Sequence, residues 1–277
     1  ASKMALENAG WAAQDLDFII FATLSPDIMF PGSGCLLQAK LGLDSTPALD
    51  IRQQCTGFLY GLATADAYIK SGLANKILLV GGEVHSSGLD KTTRGRDVTV
   101  IFGDGAAAVC IEGVETKKSA GLLSSSLHAD GNLADALMTE LPASRLQCRF
   151  PKDIPVDDPR YFPVMDGPAI FKKAVRFLPK VINESLKKAQ IDLDEIDLII
   201  PHQANMRINQ ALGQFLKLDD NKIFHNIQKY GNTTAASIPL ALHEAMERGR
   251  IGKSGDIVLF TGLGAGLTWG SIIYKFL

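Results

Sequence analysis

Asp50-Ile51-Arg52-Gln53-Gln54-Cys55-Thr56-Gly57-Phe58-Leu59-Tyr60-Gly61 is the point where a short apolar segment gives way to a helix. The run from Phe58 to Ile69 carries apolar residues on nearly every face, and a helix of that kind belongs inside a layered domain, not on its surface. A cysteine at the first turn of such a helix has unpaired backbone N–H groups and the positive end of the helix dipole beside it, which favours thiolate over thiol. Cys55 is therefore the candidate nucleophile. Inert packing is the alternative for any lone cysteine near a buried helix.

Around this stretch, strands and helices alternate. A helix closes at Ala9-Gly10, and Leu16 to Ala22 reads as a buried strand. A helical segment from Ser33 to Leu41 and a short strand from Ala48 to Ile51 lead into the Cys55 helix, which ends near Ser71-Gly72. The strand Ile77-Leu78-Leu79-Val80 stops at Gly81-Gly82, and after a polar loop from Asp90 to Asp97 a further strand runs from Ala107 to Ile111. Such alternation means an α/β layered fold.

The later part of the chain repeats this grammar. Leu186-Lys187-Lys188-Ala189 followed by Ile196-Asp197-Leu198-Ile199-Ile200 mirrors Leu6-Glu7-Asn8-Ala9 followed by Leu16-Asp17-Phe18-Ile19-Ile20, 180 residues earlier. Ile257-Val258-Leu259, ending at Gly262, mirrors Ile77-Leu78-Leu79, ending at Gly82. The helix closing at Arg248-Gly249 mirrors the one closing at Ser71-Gly72 with an offset of 177, which pairs Asn232 with Cys55. The reading is a duplicated half: residues 1–117 carry the cysteine, and residues 118–277 carry His202 and Asn232. The second half opens with a strand from Gly121 to Leu127 whose counterpart would precede residue 1, so the first strand and helix of the N-terminal half are expected to be missing.

Composition narrows the class. With 46% hydrophobic and 21% charged residues among 277, the chain can bury a large core. A net charge of -2 argues against a general nucleic-acid binder. No apolar run reaches the roughly 18 residues of a membrane span, and no signal peptide opens the sequence, so a cytoplasmic protein with no membrane partner is expected. The four cysteines (Cys35, Cys55, Cys110, Cys148) lie far apart without metal-ligand spacing, which fits reduced thiols and no metal.

His202 follows the strand Asp197 to Ile200, where open α/β sheets place ligand-facing loops. Alone it reads equally well as a structural hydrogen-bonding residue, and Asn232 alone reads as a turn or N-cap. Both, with Cys55, fall at element ends expected to meet at the centre of one fold.

These residues carry a resemblance. Cys55-Thr56-Gly57-Phe58, Ile101-Phe102-Gly103-Asp104-Gly105-Ala106, His202-Gln203-Ala204-Asn205-Met206-Arg207, Gly231-Asn232-Thr233-Thr234-Ala235-Ala236-Ser237 and Gly264-Ala265-Gly266-Leu267-Thr268-Trp269-Gly270 together resemble the ketoacyl synthase III branch of the thiolase superfamily, the 3-oxoacyl-(acyl carrier protein) synthase III enzymes. The resemblance implies a five-layer αβαβα arrangement of duplicated halves. It implies that Cys55 takes an acyl group from coenzyme A as its own thioester. A malonyl group on acyl carrier protein then loses CO2, and the carbanion attacks the acyl-cysteine, as in the initiation of fatty-acid biosynthesis. His202 and Asn232 would stabilise the enolate, and the backbone N–H groups of Cys55 and Ala265 would form an oxyanion hole.

Further roles follow from the same resemblance. Arg94 would lie against the coenzyme A adenine, Phe30 would reach into the acyl pocket of a partner subunit in a homodimer, and Arg207 and Lys172 would meet the acidic carrier protein. No cofactor is implied beyond the coenzyme A thioester as substrate. The loop Asp27-Ile28-Met29-Phe30 lacks the glutamate base of non-decarboxylating relatives. Two departures stand out: Leu263 where the family commonly has phenylalanine, bearing on the decarboxylation site, and extra residues between about 141 and 162. A ketosynthase of a specialised pathway with a different acyl donor or acceptor, or a non-catalytic acyl-binding member, is the alternative within the family. A papain-like protease shares the chain order Cys, His, Asn, but the repeat and the lack of disulfide pairs weigh against it.

Overall fold

The computed structural model describes residues 1–277. In chain order it contains α1 (Ser2–Ala9), β1 (Phe18–Ala22), α2 (Ser33–Lys40), β2 (Ala48–Ile51), α3 (Gly57–Lys70), β3 (Lys76–Glu83), the single turn α4 (Arg96–Thr99) and β4 (Gly105–Glu112). There follow β5 (Gly121–Ala129), the two-residue strands β6 (Leu137–Met138) and β7 (Val164–Met165), α5 (Gly167–Ala189), β8 (Leu198–Pro201) and α6 (Met206–Leu216). The chain finishes with α7 (Ile227–Tyr230), α8 (Ser237–Glu247), β9 (Ile257–Gly264) and β10 (Thr268–Lys275).

Two four-stranded sheets result, in the orders β2-β1-β3-β4 and β5-β10-β9-β8. In each, one strand that reads as unbroken apolar sequence runs parallel to its neighbour: Ile19 is in register with Leu78 in the first, and Ile199 with Leu259 in the second. All four of these residues are buried on both sides of a helix-covered sheet, which is why they do not alternate with polar ones.

α3 and α8 lie between the sheets. Phe58, Leu59 and Leu62 of α3 and Ile238, Ala241 and Ala245 of α8 share one apolar cluster with Ile20 and Leu79 of the first sheet and Ile200 and Phe260 of the second. A helix buried on both sides has no face left for polar residues, and the apolar run noticed in the sequence is the result. Each fully buried leucine or phenylalanine here contributes about 1.5–3 kcal/mol. On the outer faces, α5 and α6 cover the second sheet through Ile170, Ala174, Ile208 and Leu212, while α1 supplies Leu6 to the smaller cluster on the first. These are the five layers.

The duplication is visible in backbone detail, and it corrects one expectation. Gln54 and Thr234 both have positive φ (43° and 49°), short 3-10 turns follow at Gln54–Thr56 and Thr234–Ala236, and α3 and α8 then begin at Gly57 and Ser237. All of these correspond at an offset of 180. Cys55 is therefore matched by Ala235, not by Asn232. The 177 offset holds only at the helix ends, Gly72 (φ 75°) and Gly249 (φ 65°), because α8 is three residues shorter than α3 by that point. Likewise Asp17 accepts from the Lys76 N–H and Asp197 from the Ile257 N–H, so Gly262 matches Gly81 rather than Gly82.

Candidate active site

Cys55 sits in the 3-10 turn that precedes α3, held by the Thr56 N–H donating to the Gln53 carbonyl (3.0 Å). Thr56 Oγ1 lies 2.8 Å from Thr268 Oγ1, which donates to the Ala265 carbonyl (3.2 Å). This chain of hydroxyls ties the cysteine turn to the glycine-rich turn between β9 and β10. Gly264 lies so close that a Cβ there would fall 2.5 Å from Cys55 Cβ and 3.0 Å from its sulfur. Any side chain at that position would displace the thiol. The backbone N–H groups of Ala265 and Cys55 lie close enough to the thiol to favour its charged form.

The expectation of a resting thiolate is not met. Burial pushes the Cys55 thiol up to about 12, the charge of Glu83 adds to the rise, and the two backbone N–H groups only partly offset it. Desolvation outweighs the helix end because the thiol is out of contact with water. Cys55 is thus a neutral thiol at pH 7, and its proton must leave as the thioester binds. Alkylation of the Cys55 peptide by iodoacetamide is expected to keep rising with pH through 9 and 10. A plateau below pH 8, the signature of a preformed thiolate, would contradict this; peptide mapping separates Cys55 from the exposed Cys35 and Cys148.

His202 follows β8 directly. Its backbone N–H donates to the Thr261 carbonyl (2.7 Å), and a Cβ at Gly262 would lie 3.1 Å from His202 Cβ and 3.8 Å from the Cys55 carbonyl oxygen. β9 therefore passes between the histidine and the cysteine turn with no side chain to separate them. His202 Nδ1 lies 2.6 Å from Ser237 Oγ, the first residue of α8. The Gln203 N–H also faces that oxygen (3.4 Å), and Nδ1 is the one acceptor within reach of the serine proton, so Ser237 is assigned as donor to Nδ1 and the ring proton to Nε2. Nε2 is buried and has no partner. Burial, with the neighbouring His85 adding to it, pushes His202 down to about 3, so the imidazole is neutral and its free nitrogen is a hydrogen-bond donor awaiting an acceptor.

Asn232 is placed by a different device. Its N–H donates to the Ile101 carbonyl (2.9 Å) and its carbonyl accepts from the Gly103 N–H (3.0 Å), so it forms a one-residue parallel bridge with Phe102. Gly103 permits the approach: a Cβ there would fall 2.1 Å from the Tyr230 carbonyl oxygen. Asn232 Oδ1 accepts from the Thr234 N–H (2.9 Å), which leaves Nδ2 as the outward donor. The turns that follow the two residues meet directly, since Gly57 would place a Cβ 3.1 Å from that of Ala235.

The remaining expected residues lie apart from the thiol. Leu263 is buried on the α5 and α6 side of the second sheet, where it lines a cavity of about 30 Å3 with His202, Ile170 and Ile208. Lys172 and Arg207 are exposed on α5 and α6, on faces of those helices turned away from the buried Ile170 and Ile208. Arg94 is committed elsewhere: Nε pairs with Asp90 (2.5 Å), Nη2 donates to the Asp157 carbonyl (2.9 Å), and the guanidinium lies 5.4 Å from the Phe162 ring centre. Phe30 is 80% exposed beside exposed Ile28 and Met29, an apolar projection with no partner within the chain. No cluster of three His, Cys, Asp or Glu side chains with metal-binding geometry forms.

Three further residues escaped the sequence reading. Glu83, at the end of β3, is 3% exposed and accepts from Ser25 Oγ (2.7 Å), Thr23 Oγ1 and the N–H groups of Leu24 and Ser25. Burial raises its pKa against these donors, and with its oxygens so occupied it braces the site rather than serving as a free base. Ser237 sets the histidine tautomer, and His85 contacts Thr234. The offset of 180 was the signal for Ser237, since it matches Gly57 at the start of the cysteine helix. Nothing local marked Glu83 or His85.

Comparison with known proteins gives concordant results. The family described as 3-oxoacyl-[acyl-carrier-protein (ACP)] synthase III matches residues 49–131, and its C-terminal counterpart matches residues 186–276. The β-ketoacyl-[acyl-carrier-protein] synthase III of Aquifex aeolicus is 41% identical over 276 residues, covering 100% of this chain and 82% of the Aquifex protein. The crystal structure of the Aquifex 3-oxoacyl-[acyl-carrier-protein] synthase III superposes with a TM-score of 0.88 at 40% identity, over the same shares of both chains. That of the Pseudomonas aeruginosa PAO1 enzyme does so with a TM-score of 0.87 at 34% identity, covering 100% of this chain and 81% of the other.

Proposed function

Because this chain belongs to the 3-oxoacyl-(acyl carrier protein) synthase III family, we propose Cys55, His202 and Asn232 as the groups that carry its reaction. The enzyme is an acyltransferase: it joins an acyl group from acyl-CoA to malonyl-acyl carrier protein with loss of CO2, the initiating condensation of fatty-acid synthesis. The observation that carries the residue assignment is the orphaned, buried Nε2 of a neutral His202 beside the Cys55 turn.

The steps follow from the donors. Cys55 attacks the thioester carbonyl, its proton leaves with the coenzyme A thiol, and the tetrahedral oxyanion is met by the N–H groups of Cys55 and Ala265. Malonyl thioester then replaces coenzyme A, with its thioester oxygen facing His202 Nε2 and Asn232 Nδ2. Loss of CO2 moves an electron pair into that carbonyl, where two neutral donors favour the enolate without protonating it first. Neither is a base at pH 7 in this setting: asparagine has no basic form, and His202 lies far below its ordinary value. The enolate carbon forms the new bond to the acyl carbon, and the Cys55 thiolate leaves.

The flanking assignments rest on placement. Lys172 and Arg207 are exposed cations on α5 and α6 and would attract an acidic carrier protein. Leu263 lines that cavity and would shield the decarboxylation site. Arg94, held by Asp90, Asp157 and Phe162, would meet the adenine of coenzyme A only through the guanidinium face turned from Phe162, and the exposed Phe30 would pack against a second copy of the chain in a homodimer. The halves 1–117 and 118–277 are taken as the units of the duplication, which the separation of the two sheets between β4 and β5 supports. No helix is long and apolar enough to cross a membrane, and a cytoplasmic location is proposed with the substrates that the reaction uses. No cofactor is assigned.

The test is direct. Incubated with acyl-CoA substrates of graded chain length, the protein should gain the mass of one acyl group, on the peptide containing Cys55. Absence of an adduct from every thioester would overturn the proposal.

A further inference from the structure

His85 lies two residues beyond the end of β3 and is 8% exposed. Its ring packs against Phe102 with centroids 4.7 Å apart, and Nε2 lies 2.7 Å from Thr234 Oγ1. The surrounding loop is fixed independently of the histidine, because Ser86 donates through its N–H (2.8 Å) and Oγ (2.5 Å) to Asp104. His85 is thus wedged between the backbone that bridges Asn232, at Phe102, and the residue that orients the Asn232 carboxamide, at Thr234.

Thr234 is held in an unusual conformation. It is β-branched yet has φ 49°, a strained conformation that persists only where the surroundings impose it. Its N–H is the group that holds Asn232 Oδ1, so its conformation decides where Nδ2 points. Its counterpart in the first half, Gln54, adopts the same φ without a histidine in the matching place, which is Gly266 by the strand register. A leucine at 85 would fill the space against Phe102 but leave the 1% exposed Thr234 hydroxyl without this bond.

We propose that His85 is a positioning residue for the decarboxylation step, holding Thr234 in the turn whose N–H aims the Asn232 carboxamide at the malonyl thioester. The inference rests on the assignment of Asn232 made above. Burial pushes His85 down to about 4 against the raising effect of Asp104, so the ring is neutral at pH 7 and bonds the hydroxyl without adding charge to the site.

The experiment separates the two half-reactions. Acylation of Cys55 is followed by intact mass with acyl-CoA, and decarboxylation by CO2 release from malonyl-acyl carrier protein, for His85→Leu, His85→Gln, Thr234→Val, Thr234→Ser and the double variant His85→Leu/Thr234→Val. Expected are acylation within about 3-fold of wild type and decarboxylation lowered about 10-fold or more in His85→Leu and Thr234→Val. The double variant should be no worse than either single one, while His85→Gln and Thr234→Ser, which keep a bond, should recover most of the rate. Equal loss in both half-reactions, no loss in either, or multiplying losses in the double variant would overturn the proposal. If His85→Leu does not fold, the contrast between Thr234→Val and Thr234→Ser decides it. A wild type that takes up no acyl group would instead overturn the function assigned to the site, and this inference with it; a wild type active in both steps beside inseparable variants overturns the inference alone.

Discussion

Cys55→Ala is expected to take up no acyl group from any thioester, and condensation should fall by at least about 10³-fold, since removing a nucleophile removes the covalent path altogether. No other thiol can substitute. Cys35 and Cys148 are exposed, and Cys110 lies half-buried in β4, away from the glycine-rich turn that meets Cys55. The alanine leaves the Ala265 and Cys55 N–H groups in place, so the loss reports on the sulfur itself. Since the thiol is buried and uncharged at rest, its removal should leave the fold intact, and an unchanged thermal midpoint would accompany the lost adduct. Intact mass after acyl-CoA treatment measures the first effect and a coupled condensation assay the second. A normal adduct in Cys55→Ala would place the acyl group elsewhere.

Asn232→Ala should behave in the opposite sense. The acyl adduct on Cys55 should form at nearly the wild-type rate, because the oxyanion donors proposed for that step are backbone groups of Cys55 and Ala265 and not the Asn232 side chain. CO2 release from malonyl-acyl carrier protein should fall about 10²–10³-fold, the usual loss when one preorganised donor to a developing oxyanion is removed. The backbone bridge between Asn232 and Phe102 does not need the side chain, so the architecture survives the change. Asn232→Asp is expected to be no better: it keeps the shape but sets an acceptor, and when ionised a negative charge, where the enolate charge develops. Unchanged CO2 release in Asn232→Ala would remove the residue from the mechanism.

Much of this was legible in the sequence, for identifiable reasons. The central position of α3 followed from apolar residues on all its faces, since only a helix sandwiched between two sheets tolerates that pattern. The position of His202 was legible because it directly follows an unbroken apolar strand, β8. The partner of Cys55 in the duplication was misplaced because helix-end glycines shift whenever a helix gains or loses residues. The strained turn before each helix does not shift, but Gln54 and Thr234 share no side-chain chemistry that would reveal it.

The ionisation of Cys55 was misjudged for a related reason. A helix N-terminus can be read from sequence, but the depth of burial that outweighs it arises from β9 and β10, more than 200 residues downstream. His85 and Glu83 share that origin. Each acts through contacts with residues distant in the chain, Thr234 in one case and the Thr23 to Ser25 loop in the other. Arg94 has partners of the same kind: Asp157 and Phe162 belong to the extra segment, whose path the sequence did not define.

All of these assignments converge on one bond. Purified protein given acyl-CoA and malonyl-acyl carrier protein, with 13C at the free carboxyl of the malonyl group, should release one labelled CO2 for each 3-oxoacyl chain formed on the carrier protein. Labelled CO2 without a lengthened chain, or acyl transfer to the carrier protein with the malonyl group intact, would contradict it.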